Sequence, residues 1–285
     1  HTPGKPSEVI KPYHHHKGRI NDFYLAAGED SANVLTFGVE LEIDEGGFDH
    51  DNARQILGNF RGASVVAERD GSLVNGFEMI SYPFSLKYYK ETMRDDYEKA
   101  FKTAVSLGYV SHNTDTCGLH VHVGRQSLGA DKDQQTDTIS KIWLLMYRFQ
   151  EAFTLLSRRK LHKLNQWARM PKTEDLGVDS ISELMPIEEN LKVKVKALDG
   201  NQCVERRIAL NLQNSKTIEF RLFRGTLNIN TFTATLQLVH NVCYLCKILT
   251  LADVSNITWT EFVRLLATDS PELLSYLKSK NRYTA

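Results

Sequence analysis

The chain has 285 residues with Lys+Arg 35 against Asp+Glu 35, so its formal charge is zero, which argues against a strongly basic nucleic-acid footprint and against an acidic tail. Hydrophobic residues make up 41% and charged residues 25%, enough to bury a core, while apolar runs such as residues 142–147 fall far short of the ~20 residues of a membrane-spanning helix. The expectation is one domain over residues 33–285, with small-molecule or peptide partners, no nucleic acid, no membrane, and a cytoplasmic location. Oligomeric state is left open.

Residues 1–32 carry Pro3, Pro6 and Pro12 and then His14, His15 and His16, with no apolar stretch of the signal-peptide kind. They read as an extended arm, and the histidine run as adventitious metal binding or an added tag rather than catalysis. From Val34 the texture changes. In "VLTFGVELEIDEG" Val39, Leu41 and Ile43 alternate with Gly38, Glu40, Glu42 and Asp44, the period-2 pattern of a half-buried strand. Residues 48–60 suit a short helix. "ASVVAERD", a turn at "DGSLVNG" and a return run "FEMISYP" make a hairpin. Residues 85–109 are rich in helix formers and stop at Gly108.

"GLHVHVG" (118–124) follows as a strand with His120 and His122 on one side. A long amphipathic helix is predicted over residues 137–157, with Ile139, Ile142, Met146, Phe149 and Phe153 inward as core rather than cofactor contacts. Residues 157–177 form a basic helical segment and a polar loop ending at Gly177, readable as a lid over anions or as a solvated charged face. Residues 206–224 predict two strands joined by a polar turn at "QNSK". The rest is mostly helical. Cys243 and Cys246 form C-x-x-C inside a helical pattern and read as buried helix cysteines ahead of a redox or metal role; with Cys117 and Cys203 they do not make a disulfide framework. No internal repeat is visible.

Three strands share one grammar, functional side chains at i and i+2 with apolar residues between: Glu40 and Glu42, His120 and His122, Glu219 and Arg221. Side chains two apart on a strand point the same way, roughly 6.5–7 Å apart. A polar solvated face is the ordinary account of any one such strand. Three together supply carboxylates, imidazoles and an arginine, the groups that bind metals and phosphates. The hairpin can add Asp70, which is also good turn chemistry beside Gly71, and Glu78, an acid amid Phe77, Met79 and Ile80. Mostly carboxylate donors with one or two imidazoles suit Mg²⁺ or Mn²⁺, with zinc as the competitor because His-x-His is a familiar pair of its ligands. Arg221 and Arg224, with Arg206 and Arg207 on the preceding strand, suit phosphate or carboxylate oxygens.

The ordered series "FGVELE", "DGSLVNGFEMISYP", "GLHVHVG", "ALNL" and "IEFRLFRGTLN" resembles the amidoligase family, the branch of the glutamine synthetase and glutamate–cysteine ligase superfamily found in bacteria, phages and fungi. The resemblance spans roughly residues 34–250. It implies an α+β fold like the glutamine synthetase catalytic domain, a curved, mainly antiparallel sheet with helices on its outer face. It also implies that Glu42, Asp70 and Glu78 hold one metal ion and Glu40, His120 and Glu219 a second. His122 would stand near the nucleotide phosphates, and Arg221 would stabilise the transferring phosphoryl group; Arg207 and Arg224 are taken as further catalytic arginines from their own charge beside these strands, not from the resemblance. Asp70 stands where relatives usually carry Glu, and no residue here matches the flap acid that deprotonates the amine. The activity implied is ATP- and Mg²⁺- (or Mn²⁺-) dependent joining of a carboxylate to an amine through an acyl phosphate, releasing ADP and phosphate. The absence of a P-loop or dinucleotide fingerprint fits it. The rivals are a zinc-dependent hydrolase or cupin-like metalloenzyme built on His120 and His122, and a nucleotide-binding module without turnover.

Overall fold

The computed structural model describes residues 8–184, 187–201 and 205–283; the side chain of Glu188 and the sequence reading of Cys203 lie outside the described residues. The described residues are mixed α/β, 48% helical and 16% strand. An eight-stranded open sheet runs in the order β1 (Ile10–Lys11), β3 (Val65–Glu68), β4 (Phe77–Ser81), β2 (Thr36–Ile43), β6 (Gly118–Gly124), β8 (Thr217–Arg224), β7 (Leu210–Asn211), and β5 (Phe84–Ser85) pairs with β2 off this path. Every pairing is antiparallel except that of β1 with β3.

Alternation decides the two faces. Val39, Leu41, Ile43, Phe77, Met79, Leu119, Val121, Val123, Ile218 and Phe220 are buried in the core, which they share with α3 (Arg94–Ser106), α4 (Lys132–Arg148) and α8 (Ile229–Ile248). Residues at the intervening positions of β2, β4, β6 and β8 are left for the other face. α1 (His50–Leu57) begins at Asp49, whose carboxylate accepts from the Asp51 and Asn52 N–H groups. Residues 85–109 are helical as predicted, as α2 (Leu86–Tyr88), a wide turn over Tyr89–Met93 and α3, and the chain leaves at Gly108 with φ +89°.

Four sequence expectations change. The long helix is two, α4 and α5 (Gln150–Leu156), broken at Phe149 (φ −108°, ψ 31°), where the ring stacks on Phe262 and the neighbouring Arg148 donates to the Val254 and Ile257 carbonyls. In the basic segment only α6 (Leu161–Trp167) is helical, and Arg158 and Arg159 ahead of it turn back onto the sheet, donating to the carbonyls of Arg224 and Phe223. Arg206 and Arg207 are not on a strand: β7 is two residues long, and the backbone just before it pairs instead with Arg169. From residue 8 on, the extended arm is docked, because Ile10 is buried in the core, β1 adds to the sheet edge, and residues His15–Arg19 form a short helical turn.

The remaining helices, α7 (Ile187–Leu198), α9 (Leu251–Asn256), α10 (Trp259–Leu266) and α11 (Pro271–Ser279), complete the shell, and α10 and α11 pack on α8. Cys243 and Cys246 are fully buried in α8 and burial pushes both thiols up, so their place is the core. No helix among the described residues is long and apolar enough to cross a membrane.

Candidate functional site

Strand register assembles the polar face. Glu40 lies opposite His120, His122 opposite Glu219, and Glu42 opposite Glu78; side chains directly opposite on one face have Cβ atoms about 4.5–5.5 Å apart. β2 therefore feeds two clusters. In the first, ligand atoms of Glu40, His120 and Glu219 lie within 4.8 Å of one another, and in the second those of Glu42, Asp70 and Glu78 do the same. The family resemblance implied the same two groups of three.

Within the first cluster His120 Nδ1 is 3.4 Å from both Glu40 Oε2 and Glu219 Oε1. His122 Nε2 is 3.1 Å from Glu40 Oε1, off the angle of a hydrogen bond, while its Nδ1 is 2.9 Å from Thr217 Oγ1. Asn211 donates to Glu219 Oε2 at 2.8 Å and Arg221 to Oε1 at 2.6 Å. Arg221 owes its position to a bulge: β8 inserts Arg221 and Leu222 between the pairs Phe220↔Val121 and Phe223↔Leu119, opposite His120. In the second cluster Glu42 accepts from the Gly118 N–H, and Asp70 accepts from Ser72 N at 2.6 Å. Asp70 thus serves the turn and faces the cluster as well.

The two clusters differ electrically. Burial raises the Glu40 and Glu219 carboxyls, but the His122 and His120 imidazoles outweigh it and hold Glu40 well below the usual carboxylate range; these imidazoles and Arg221 also lower Glu219. Burial opposes charge on His122, and Glu40 and Glu219 overcome it, raising the imidazole to about 9. Burial pushes Glu42 up and Glu78 well above its ordinary value, with Glu40, Glu42, Asp70 and Glu68 adding repulsion at Glu78. Glu42 and Glu78 are only 7% and 4% exposed. Buried, crowded carboxylates need a counter-charge, and an oxygen-rich donor set with a single imidazole fits a hard divalent cation.

Two adjoining cavities open on this face. One, about 380 Å³, is lined by His122, Glu40, Glu219, Thr217, Lys17 and Lys216 among others. The other, about 600 Å³, holds the second cluster with Arg69, Arg159, Arg206, Arg207 and Trp167. Both fall in the range of small-molecule sites. Arg207 lies over the Trp167 ring at 5.0 Å. Arg224 is not among the lining residues; it sits at the far end of β8 beside Arg158 and Tyr276.

Sequence reading missed several residues. Arg159 reaches the second cluster, where burial lowers its guanidinium to about 10 against the pull of Glu42, and nothing local in "SRRK" distinguishes it from its neighbours. Asn211 had a signal, a lone amide in "IALNL". Asp44, on the same polar face as Glu40 and Glu42, joins neither cluster: it accepts from the Val74 and Asn75 N–H groups and so fixes the hairpin turn. Comparison of the chain with protein-family models and with curated proteins gives no match.

Proposed function

We propose that this protein is an ATP-dependent carboxylate–amine ligase with a glutamine synthetase-like catalytic fold, acting on small-molecule or peptide substrates in the cytoplasm. The observation that carries the reading is the pair of three-donor clusters on consecutive outward positions of β2, with Arg221 bonded to the Glu219 carboxylate of the first. One charged trio is common on a sheet face. Two that share a strand, open on cavities and are ringed by arginines match what a triphosphate and a carboxylate need together.

Divalent cations, Mg²⁺ or Mn²⁺, held by Glu40, His120 and Glu219 and by Glu42, Asp70 and Glu78 would neutralise phosphate oxygens that four carboxylates and a fifth acid would otherwise repel. The remaining roles fall to the chain. Arg221 meets charge developing on the transferring phosphoryl group, and His122, raised toward the imidazolium by its acids, donates to the phosphate that stays with ADP. Arg207 and Arg159, on the side of the second cluster, suit the substrate carboxylate. The carboxylate takes the γ-phosphoryl group as ADP leaves, the neutral amine attacks the acyl carbon, and phosphate leaves as the C–N bond forms, taking up the proton that the amine loses. Positioning and charge stabilisation supply most of the acceleration.

A screen of amino acids, peptides and polyamines with Mg²⁺ and ATP tests this, reading ADP release. Glu40→Ala and Glu219→Ala should each abolish the stimulated release, a loss of at least about 10³-fold for a group in the phosphoryl-transfer machinery. Release that persists in both variants overturns the assignment. Tightly held stoichiometric zinc in the purified protein would instead favour a hydrolase built on His120 and His122.

A further inference from the structure

The N-terminal segment carries residues that neither the strand motifs nor the proposed mechanism uses, yet it forms a wall of both cavities. It is tied at two ends. Upstream, β1 pairs Ile10 with Ala67 and Lys11 with Glu68, and the Val9 and Ile10 N–H groups donate to His50 Nδ1 at 3.1 and 3.0 Å. Downstream, the Arg19 guanidinium lies 4.0 Å over the Tyr82 ring. Between these ties Tyr13, His14 and His16 line both cavities and Lys17 lines the one beside His122.

The middle of the segment is pinned by His16. Its backbone N–H donates to Glu68, and its Nδ1 stands 3.0 and 3.1 Å from the two Glu68 oxygens. The Glu68 side chain is 0% exposed, so lifting the segment would strip a buried carboxylate of its partner, a costly step. His14 is held at φ +68°, a left-handed conformation that a non-glycine residue keeps only when its surroundings impose it. The segment is therefore a fixed wall and not a hinged lid.

Lys216, in the turn between β7 and β8, lines the same smaller cavity as Lys17; Arg125 fixes that turn by donating to the Leu212, Asn214 and Thr217 carbonyls. Neither lysine forms an ion pair with a carboxylate among the described residues. The two acids of this cavity, Glu40 and Glu219, are already partnered by His120, His122 and Arg221. Lys17, Lys216 and Arg206 consequently give it an excess of cations suited to a polyphosphate anion.

We propose that the N-terminal segment is the near wall of the nucleotide cavity, locked by His16 on Glu68, and that Lys17 from this segment and Lys216 from the β7–β8 turn both grip the polyphosphate. This rests on the ligase reading for the identity of the anion as ATP. It assigns a binding role to a stretch of sequence that otherwise reads as an extended arm.

Calorimetric titration of the full chain with Mg²⁺·ATP, and separately with Mn²⁺ alone, tests it. Lys17→Ala and Lys216→Ala should each weaken Mg²⁺·ATP about tenfold, the effect of one lost charge-assisted contact, while Lys17→Arg restores most of the affinity and Mn²⁺ binding stays unchanged in all three. His16→Ala should produce the same weakening together with faster tryptic cleavage after Lys17 and Arg19. Wild-type affinity in Lys17→Ala, or in a His16→Ala protein that trypsin shows to have released the segment, overturns this inference and leaves the ligase reading standing. A wild-type chain that binds Mn²⁺ but no Mg²⁺·ATP overturns both.

Discussion

Glu78 shows at the scale of one residue why the polar face calls for a cation. The register of β4 against β2 sets it opposite Glu42, burial removes its water, and its own carboxyl is raised well above its ordinary value. The sign follows from linkage. A carboxyl whose folded pKa is raised binds its proton more tightly when folded, so stability is greatest below the unfolded pKa of about 4.5 and is lost as pH rises toward the folded value. Glu78→Gln is a near-isosteric mimic of the protonated acid. In the presence of a chelator the variant should match wild type near pH 4.5 and exceed it in stability at pH 8, where the wild-type acid must either hold its proton or add a further charge to the crowded carboxylates. Adding Mg²⁺ should reverse the order, because the variant lacks the donor. Urea melts at the two pH values, with and without Mg²⁺, measure this; equal stability of the two proteins at pH 8 without metal would mean that Glu78 is not the strained acid described above.

At the scale of the element, β6 explains its own flanking glycines. A Cβ on Gly118 would stand 2.5 Å from Arg159 Nη2 and 3.1 Å from His120 Nε2, and one on Gly124 would stand 2.5 Å from Thr36 Oγ1. The strand can bring His120 to its cluster only because nothing projects at position 118. Gly118→Ala should therefore keep the far-ultraviolet circular dichroism of the wild type, cost roughly 1–3 kcal/mol of stability through overpacking, and weaken Mn²⁺ binding about tenfold by displacing His120. Unaltered Mn²⁺ affinity would show that Arg159 simply swings aside. Elements of this kind were legible because their cause is local: β2, β4, β6 and β8 announce themselves by alternation, and the five acids and one imidazole of the clusters are the outward positions of that alternation or of its turn. What could not be read has a distant cause. β1 and β7 are two residues each and exist because an edge strand was waiting for them. The helix breaks at Phe149 because of partners more than 100 positions away, and Arg159 reaches its cluster only through the path of the chain after α5.

Taken whole, the molecule puts a stable apolar assembly of sheet and helices behind a face that is electrostatically incomplete. The same β2 that anchors the core through Val39, Leu41 and Ile43 carries Glu40 and Glu42 on its other side, so the cost of crowding the acids is borne by the strand that pairs with both β4 and β6. Relief of that cost should be visible in the unfolding of the entire chain. A ligand that binds only the folded state stabilises it by RT ln(1 + [L]/Kd), about 2.7 kcal/mol at one hundred times Kd, and for a chain of this size each kcal/mol moves the melting point by roughly 2–4 °C. Saturating Mg²⁺ or Mn²⁺ should then raise the melting temperature by about 5–10 °C, EDTA should return it, and Glu42→Ala combined with Glu219→Ala should abolish the shift by removing a donor from each cluster. The choice of ion carries as much information as the size of the shift. Five carboxylates and one imidazole divided between two clusters favour a hard cation held with modest affinity, so stabilisation should grow over a millimolar range of Mg²⁺ rather than saturate at one equivalent. Saturation by one equivalent of Zn²⁺, with no response to Mg²⁺ or Mn²⁺, would place the chemistry on the histidine pair and away from the paired clusters of β2.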